Sequence, residues 1–204
     1  MIIDLSDHNG TVDFHQLTGV EEVIIRATIG YGTVDKSLRQ NAINADAAGF
    51  PVSYYHFAYP HTTTDIQTDA INQANFFINT IKDLPKFTNL AIDLEEYDDK
   101  KTPQSDSRLS PVEYALWLQS FLDTAENQTG VKCMIYSYRD YLDRHLPDGH
   151  TFGNYPLWIA NYSNVATPGL PKGWDSYHYW QYNENGHLAG TNNDVDLSKK
   201  NPNI

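Results

Sequence analysis

A chain of 204 residues is long enough to bury a full hydrophobic core, and 40% hydrophobic with 20% charged residues excludes an intrinsically disordered protein. Fourteen Lys and Arg against 26 Asp and Glu give a formal net charge of -12, which would repel a phosphate backbone and excludes nucleic acid as an expected partner. No run approaches the roughly 20 apolar residues of a membrane-spanning helix, and the first residues lack the basic and apolar regions of a signal peptide.

Eight short β-rich runs, each bounded by turn residues, are distributed along the whole chain. They lie near residues 2–6, 22–28, 52–58, 90–95, 132–137, 157–161, 177–182 and 194–197. Eight is also the number of strands in a closed parallel β/α barrel, so the runs favour that architecture.

Helical patterns separate the first five of these runs. Residues 38–48 and 65–81 have the composition or the apolar spacing of crossover helices. A third helix is predicted over residues 110–127, where Ser110 is the N-cap and Glu113 can close a capping box. Alternating strands and helices predict parallel strands joined by right-handed crossovers.

The C-terminal part of the chain departs from this alternation. Only Arg139 to Asp143 predicts a short helical turn, and residues 163–176 and 183–193 predict loops rich in Pro, Gly and Asn. We therefore expect one α/β domain over residues 1–204, a modified (β/α)8 TIM-like barrel with eight strands and the last helices missing or reduced. The polar stretch 97–108 predicts a long loop after the fourth strand, bordering an active site.

Asp93 and Glu95 share one face of the fourth predicted strand, because side chains two residues apart in a strand point the same way. We interpret them as catalytic groups at the carboxyl end of a barrel strand, where burial beside a second acid raises one pKa and maintains a general acid. Asp4 in the first run and Asp196 in the last are expected at the same mouth, since the first and last strands of a closed barrel are neighbours.

Aromatic and amide side chains also lie at or near predicted strand ends, where rings can stack on sugars and an amide can bind a hydroxyl group. For any one aromatic residue, a place in the core explains the pattern equally well. His56 could line the pocket or be a hydrogen-bonded histidine of the barrel. No histidine spacing is typical of metal ligands, and no cofactor is expected. The candidate substrate-binding residues are Tyr55, His56, Tyr136, Trp158, Tyr162 and Gln181.

Seven short motifs follow one another in a fixed order between about residues 2 and 198. They are Ile3-Asp4-Leu5-Ser6, Tyr54-Tyr55-His56-Phe57, Ile92-Asp93-Leu94-Glu95, Ile135-Tyr136-Ser137, Pro156-Leu157-Trp158-Ile159-Ala160-Asn161-Tyr162, Tyr179-Trp180-Gln181-Tyr182 and Val195-Asp196-Leu197. In this order they resemble the motifs of glycoside hydrolase family 25, the Chalaropsis-type lysozymes. A single Asp-x-Glu would be a weak signal, whereas seven collinear motifs are specific.

The resemblance implies a modified β/α barrel that cleaves the β-1,4 bond between N-acetylmuramic acid and N-acetylglucosamine in bacterial peptidoglycan. It implies Glu95 as the general acid, Asp93 as the residue that orients the substrate's acetamido group, and Asp4 and Asp196 as supporting acids of the pocket. The expected partner is the peptidoglycan glycan strand.

The resemblance also sets expectations for where the protein acts. We expect a monomer without membrane insertion and without wall-binding repeats, acting outside the cell membrane on the bacterial wall. Because no signal peptide is evident, the protein would be released by a phage, be exported by another route, or have lost a leader.

Two other functions stay open from the sequence. A metal-dependent hydrolase could use the same four carboxylates as oxygen ligands for a divalent cation. A glycan-binding module could keep the pocket and lack turnover, although the presence of all four acids argues against it.

Overall fold

The computed structural model describes residues 1–60, 65–96 and 109–204. The loop predicted over residues 97–108 lies outside these described residues. The strands are β1 (Ile2–Leu5), β2 (Glu22–Ile29), β3 (Thr33–Val34), β4 (Val52–Phe57), β5 (Phe87–Asp93), β6 (Met134–Tyr138), β7 (Leu157–Ala160), β8 (Tyr179–Gly186) and β9 (Val195–Lys200). The α-helices are α1 (Leu38–Ala47), α2 (Ile66–Ile81), α3 (Pro111–Thr129) and α4 (Arg139–His145).

Eight of the strands form a closed barrel, and the two-residue strand β3 is paired with β2 outside that circuit. Neighbours from β1 through β8 pair in parallel, and β9 closes the barrel antiparallel to both β8 and β1. The predicted modified barrel is confirmed, with short or absent helices in its C-terminal part. No described helix is long and apolar enough to cross a membrane.

The predicted loop over residues 183–193 is wrong in its first four residues. Strand β8 continues through Gly186 and pairs with β9 across two register shifts. Only residues 187–194 then remain to connect the two strands, which is too short for a helical crossover and requires an antiparallel return. The reversed direction places the start of β9 at the same barrel mouth as the carboxyl ends of the other strands.

Strand alternation divides the apolar side chains into two cores. Outward-facing residues such as Ile25 and Ile92 pack against the helices, where Trp117 and Phe121 of α3 are fully buried. Inward-facing residues, including Trp158, fill the barrel interior. The predicted capping box of α3 is present in the structure. The helices therefore cover the outside of the barrel, and polar side chains line the interior near its mouth.

Candidate active site

Four carboxylates meet at the mouth of the barrel. Asp4 of β1 lies directly opposite Asp196 of β9 in the strand register, and Asp93 is the last residue of β5. Pairing continues one residue beyond β5, because the Leu94 N–H donates to the carbonyl of Tyr136 at 2.9 Å. This extended backbone directs Glu95 to the same side as Asp93, as the sequence predicts.

Asp93 is a buried carboxylate with an unsatisfied oxygen. Only 4% of the residue is exposed, and its Oδ1 atom has no hydrogen-bond partner among the described residues. Burial is the largest cause that raises the pKa of Asp93 well above its ordinary value, and the negative charges of Glu95 and Asp4 raise it further. A buried acceptor of this kind is expected where a ligand supplies the missing donor.

Glu95 is less deeply buried than Asp93. Burial, followed by the negative charge of Asp196, raises the pKa of Glu95 to about 7, and the positive charge of Arg26 acts in the opposite direction. Near neutral pH a substantial fraction of Glu95 therefore carries the proton that a general acid must donate.

Asp4 and Asp196 form a pair of neighbouring acids, opposite each other in the strand register. Burial, with the charge of Asp196, raises the pKa of Asp4 well above its ordinary value, and burial raises the pKa of Asp196 to about 6. Two acids this close titrate as a pair, and a proton held by the pair lowers the repulsion among the four acids.

A fixed amide supports this pair from β8. Gln181 Oε1 accepts hydrogen bonds from the hydroxyl groups of Tyr136 at 2.7 Å and Tyr162 at 2.6 Å. Because the oxygen is occupied by two donors, the amide orientation is set, and Nε2 donates to Asp4 Oδ2 at 2.9 Å. Gln181 and Tyr136 thus lie beside Asp4, where Gln181 donates to Asp4 and Tyr136 fixes the amide of Gln181.

Two cavities flank the acids. One of about 590 Å³ is lined by Asp4, Tyr55 and Asp196, and one of about 470 Å³ is lined by Arg26 and Glu95. Tyr162 keeps 44% of its surface exposed even though its hydroxyl group is bonded to Gln181. The arrangement is an open cleft with the carboxylates near its centre, which suits an extended polar ligand.

His56, one of the predicted substrate-binding residues, lies away from the four carboxylates. His56 is fully buried outside the barrel, between β4 and helices α2 and α3, where its ring stacks on Phe121 at 5.0 Å. Its Nδ1 atom is bonded to the Thr28 hydroxyl group and its Nε2 atom to Gln73. Burial lowers its pKa to about 4, so the ring is neutral and structural.

Trp158 faces the barrel interior, as its strand position predicts, but it lies beneath the site. It is 2% exposed, its ring meets those of Tyr136 and Tyr55 edge-on, and its indole N–H donates to Ser198. A ring that is 2% exposed offers no open face for a sugar, so a direct contact between Trp158 and substrate stays a prediction that this placement does not support. It supports the residues above it.

The sequence analysis missed Arg26 and its partners. Arg26 points into the barrel from β2 and donates from Nε to Asp35 at 2.8 Å and from Nη2 to Asp7 at 2.5 Å. Strand alternation could have identified Arg26, because Glu22, Ile24 and Arg26 share the inward face of β2. An arginine that points into a barrel requires a carboxylate partner.

Metal binding is not favoured by the arrangement of the acids. Within residues 1–60, 65–96 and 109–204, no group of three or more His, Cys, Asp or Glu side chains is placed to hold a metal ion.

Comparison with known proteins gives consistent matches. The profile of Glycosyl hydrolases family 25 matches residues 3–191. The autolytic lysozyme of Clostridium acetobutylicum is 29% identical over 199 residues, which cover 97% of this chain and 54% of that protein. The N,O-diacetylmuramidase of Arthroderma benhamiae is 30% identical over 183 residues, which cover 87% of this chain and 74% of that protein.

A solved structure matches the whole barrel. The crystal structure of the bacterial lysozyme from Streptomyces coelicolor has a TM-score of 0.85 at 24% identity, covering 98% of this chain and 90% of that one. The chain spans about half the length of the Clostridium relative.

Proposed function

The chain belongs to the family Glycosyl hydrolases family 25, and from that membership we propose that it is a muramidase of bacterial peptidoglycan. It cleaves the β-1,4 bond between N-acetylmuramic acid and N-acetylglucosamine, outside the cell membrane. The matched relatives include a lysozyme and a muramidase, which supports this substrate class.

One observation carries the proposal. A half-buried glutamate whose pKa is raised to about 7 adjoins a buried aspartate with an unpartnered oxygen, at the mouth of a barrel and between two cavities. Glycoside hydrolysis needs such a pair, in which one carboxyl group donates a proton and the other acts while ionised.

Glu95 is the general acid. In its protonated form it donates to the glycosidic oxygen as the bond to the anomeric carbon breaks, so that the leaving sugar departs as a neutral alcohol. Its remaining carboxylate can then accept a proton from the water that completes hydrolysis. This double role requires a pKa near the working pH, which the burial of Glu95 provides.

Asp93 positions the substrate's acetamido group. Its unpartnered Oδ1 accepts the acetamido N–H, and the acetamido carbonyl oxygen attacks the anomeric carbon and forms a cyclic intermediate. The N–H donor favours the ionised form of Asp93, so substrate binding leaves the proton on Glu95. Water then attacks the anomeric carbon from the opposite face, and the product retains its configuration.

Other residues bind the glycan around this centre. The exposed ring of Tyr162 offers a stacking face, and Tyr55 lines the cavity beside Asp4 and Asp196. Gln181 and Tyr136 hold Asp4 in place through the hydrogen bonds described above.

The test is digestion of purified cell wall followed by mass spectrometry of the released fragments. We expect new reducing ends on N-acetylmuramic acid, formed initially as the β-anomer by NMR, and at least about a hundredfold loss of rate in Glu95→Gln. The adjacent Glu96→Gln is the matched control, because Glu96 points towards Arg144 at 2.9 Å and is half exposed. Wild-type clearance by Glu95→Gln would refute the role of Glu95, and an α-configured first product would refute retention.

The same assay separates the two alternatives. Full activity after exhaustive EDTA treatment excludes the metal-dependent hydrolase. Binding of glycan strands without any new reducing ends would instead indicate a glycan-binding module.

A further inference from the structure

Arg26 holds a positive charge inside a site made of acids. Its side chain is 9% exposed and lines the 470 Å³ cavity together with Glu95. Its position on β2 is on the inward face of the barrel, like that of Asp4 on β1 and Asp93 on β5. A buried guanidinium group keeps its charge at any working pH, so this charge is permanent.

The guanidinium group is held rigidly by two carboxylates. Asp35, whose side chain is fully buried, accepts from Arg26 Nε, and Asp7 accepts from Nη2. Asp35 is itself fixed by the N–H and hydroxyl groups of Ser37 and by the N–H of Asp7. Nη1 has no hydrogen-bond partner among the described residues. Two anions therefore fix one edge of the group and leave the rest directed at the cavity.

Charged and titratable groups from several barrel strands surround Glu95. The carboxylates of Asp93 and Asp196 repel its ionised form, and Arg26 is the one cation, within the described parts of the chain, that acts on both Asp93 and Glu95. Arg144 is nearly half exposed and is already paired with Glu96 and Asp140. The remaining titratable groups near Glu95 are Asp4 on β1, Tyr55 on β4, Tyr136 and Tyr138 on β6, and Asp7 and His8 after β1.

We propose that Arg26 is a positioning residue of the glycosidase reaction, whose anchored charge sets the pH range in which Asp93 is ionised while Glu95 keeps its proton. This inference depends on the proposed function only for the pH profile of kcat/KM, because that measurement requires glycosidase activity. Asp35 and Asp7 contribute to this positioning, because they fix the distance between the Arg26 guanidinium group and the acids. A purely structural arginine would stabilise the barrel and leave the titration of the acids unchanged.

The experiment uses the double variant Arg26→Gln/Asp35→Asn, which removes the cation together with its fully buried partner and leaves only Asp7, whose side chain is 30% exposed, without its ion pair. Loss of a nearby positive charge disfavours ionised carboxylates, so both limbs of the pH profile of kcat/KM should move to higher pH by about one unit. Arg26→Lys keeps the charge and should keep both limbs, at a lower rate, since lysine lacks the fork that binds two carboxylates. Arg139→Gln/Asp143→Asn, an ion pair on α4 that is not among the charges acting on Asp93 or Glu95, is the matched control and should move neither limb.

Carbon NMR titration of the side-chain carboxyl groups in the free protein measures the same shift without substrate. If the wild type releases no reducing ends, the muramidase proposal fails, and the titration still decides the role of Arg26. Unmoved carboxyl titrations in the folded double variant would overturn the positioning role. Failure of that charge-balanced variant to fold would also overturn it, because Arg26 would then be required for stability.

Discussion

Glu95→Gln should inactivate the protein and at the same time stabilise it. The glutamine has nearly the same shape but is neutral, so it removes the ionised carboxylate that the folded state disfavours. The pKa of Glu95 is raised from 4.5 to about 7 by burial and by Asp196. Each unit of pKa difference corresponds to about 1.4 kcal/mol, so ionised Glu95 costs the folded state about 3 kcal/mol. Because part of the side chain faces water, we expect a measured gain of about 1–3 kcal/mol.

The sign of the effect depends on pH in a defined way. A carboxyl group whose pKa is higher in the folded state binds its proton more tightly there, so stability falls as pH rises from about 4 to about 7. Below pH 4 the group is protonated in both states, and the variant and the wild type should be equally stable. Above pH 7 the full difference should be present, and it should not grow further.

Thermal unfolding at a series of pH values measures this difference. For a domain of this size, 1–3 kcal/mol corresponds to a rise in Tm of about 2 to 10 °C at pH 8. Glu96→Gln controls for the substitution itself and should remain within about 0.5 kcal/mol of the wild type, because its exposed ion pair contributes little. An unchanged Tm at pH 8, or a gain of equal size at pH 4, would refute the conclusion that folding raises the pKa of Glu95.

Two further substitutions test the neighbours of Glu95. Asp93→Asn should lower kcat about a hundredfold in a reducing-sugar assay, because a neutral amide stabilises the developing charge on the acetamido group poorly. A rate within twofold of the wild type would contradict this role. Gln181→Met should lower the free energy of unfolding, measured by urea denaturation, by about 2–3 kcal/mol, because the hydroxyl groups of Tyr136 and Tyr162 lose their acceptor. An unchanged free energy of unfolding would show that water replaces the amide.

The barrel and its four acids could be predicted because they depend on local patterns. Short β-rich runs bounded by turn residues identify all eight barrel strands, and period-2 alternation within the fourth run places Asp93 and Glu95 on one face. The direction of β9 was not evident, because the sequence pattern of a strand carries no direction. Only the connection length decides it, and that length depends on how far β8 extends.

His56 and Trp158 lie away from the open cleft for different reasons. His56 follows Tyr55 directly in β4, so alternation alone allows only one of them to face the interior, and this signal was available. Its partners Thr28 and Gln73 are 28 and 17 residues away and could not be inferred. Trp158 faces the correct side, but its depth depends on the stagger of the strands, which the sequence does not reveal.

The closing contact between β1 and β9 builds the acidic cluster from two segments that are far apart in sequence. Asp4 and Asp196 are opposite each other in the register although they lie near the two ends of the 204 residues. A nascent chain still lacking its final strand on the ribosome would have an open sheet edge and only part of the acidic cluster. Because the pairing of distant segments carries a loop-closure cost, the cleft is complete only when the segment that contains Asp196 has been made and has paired with β1.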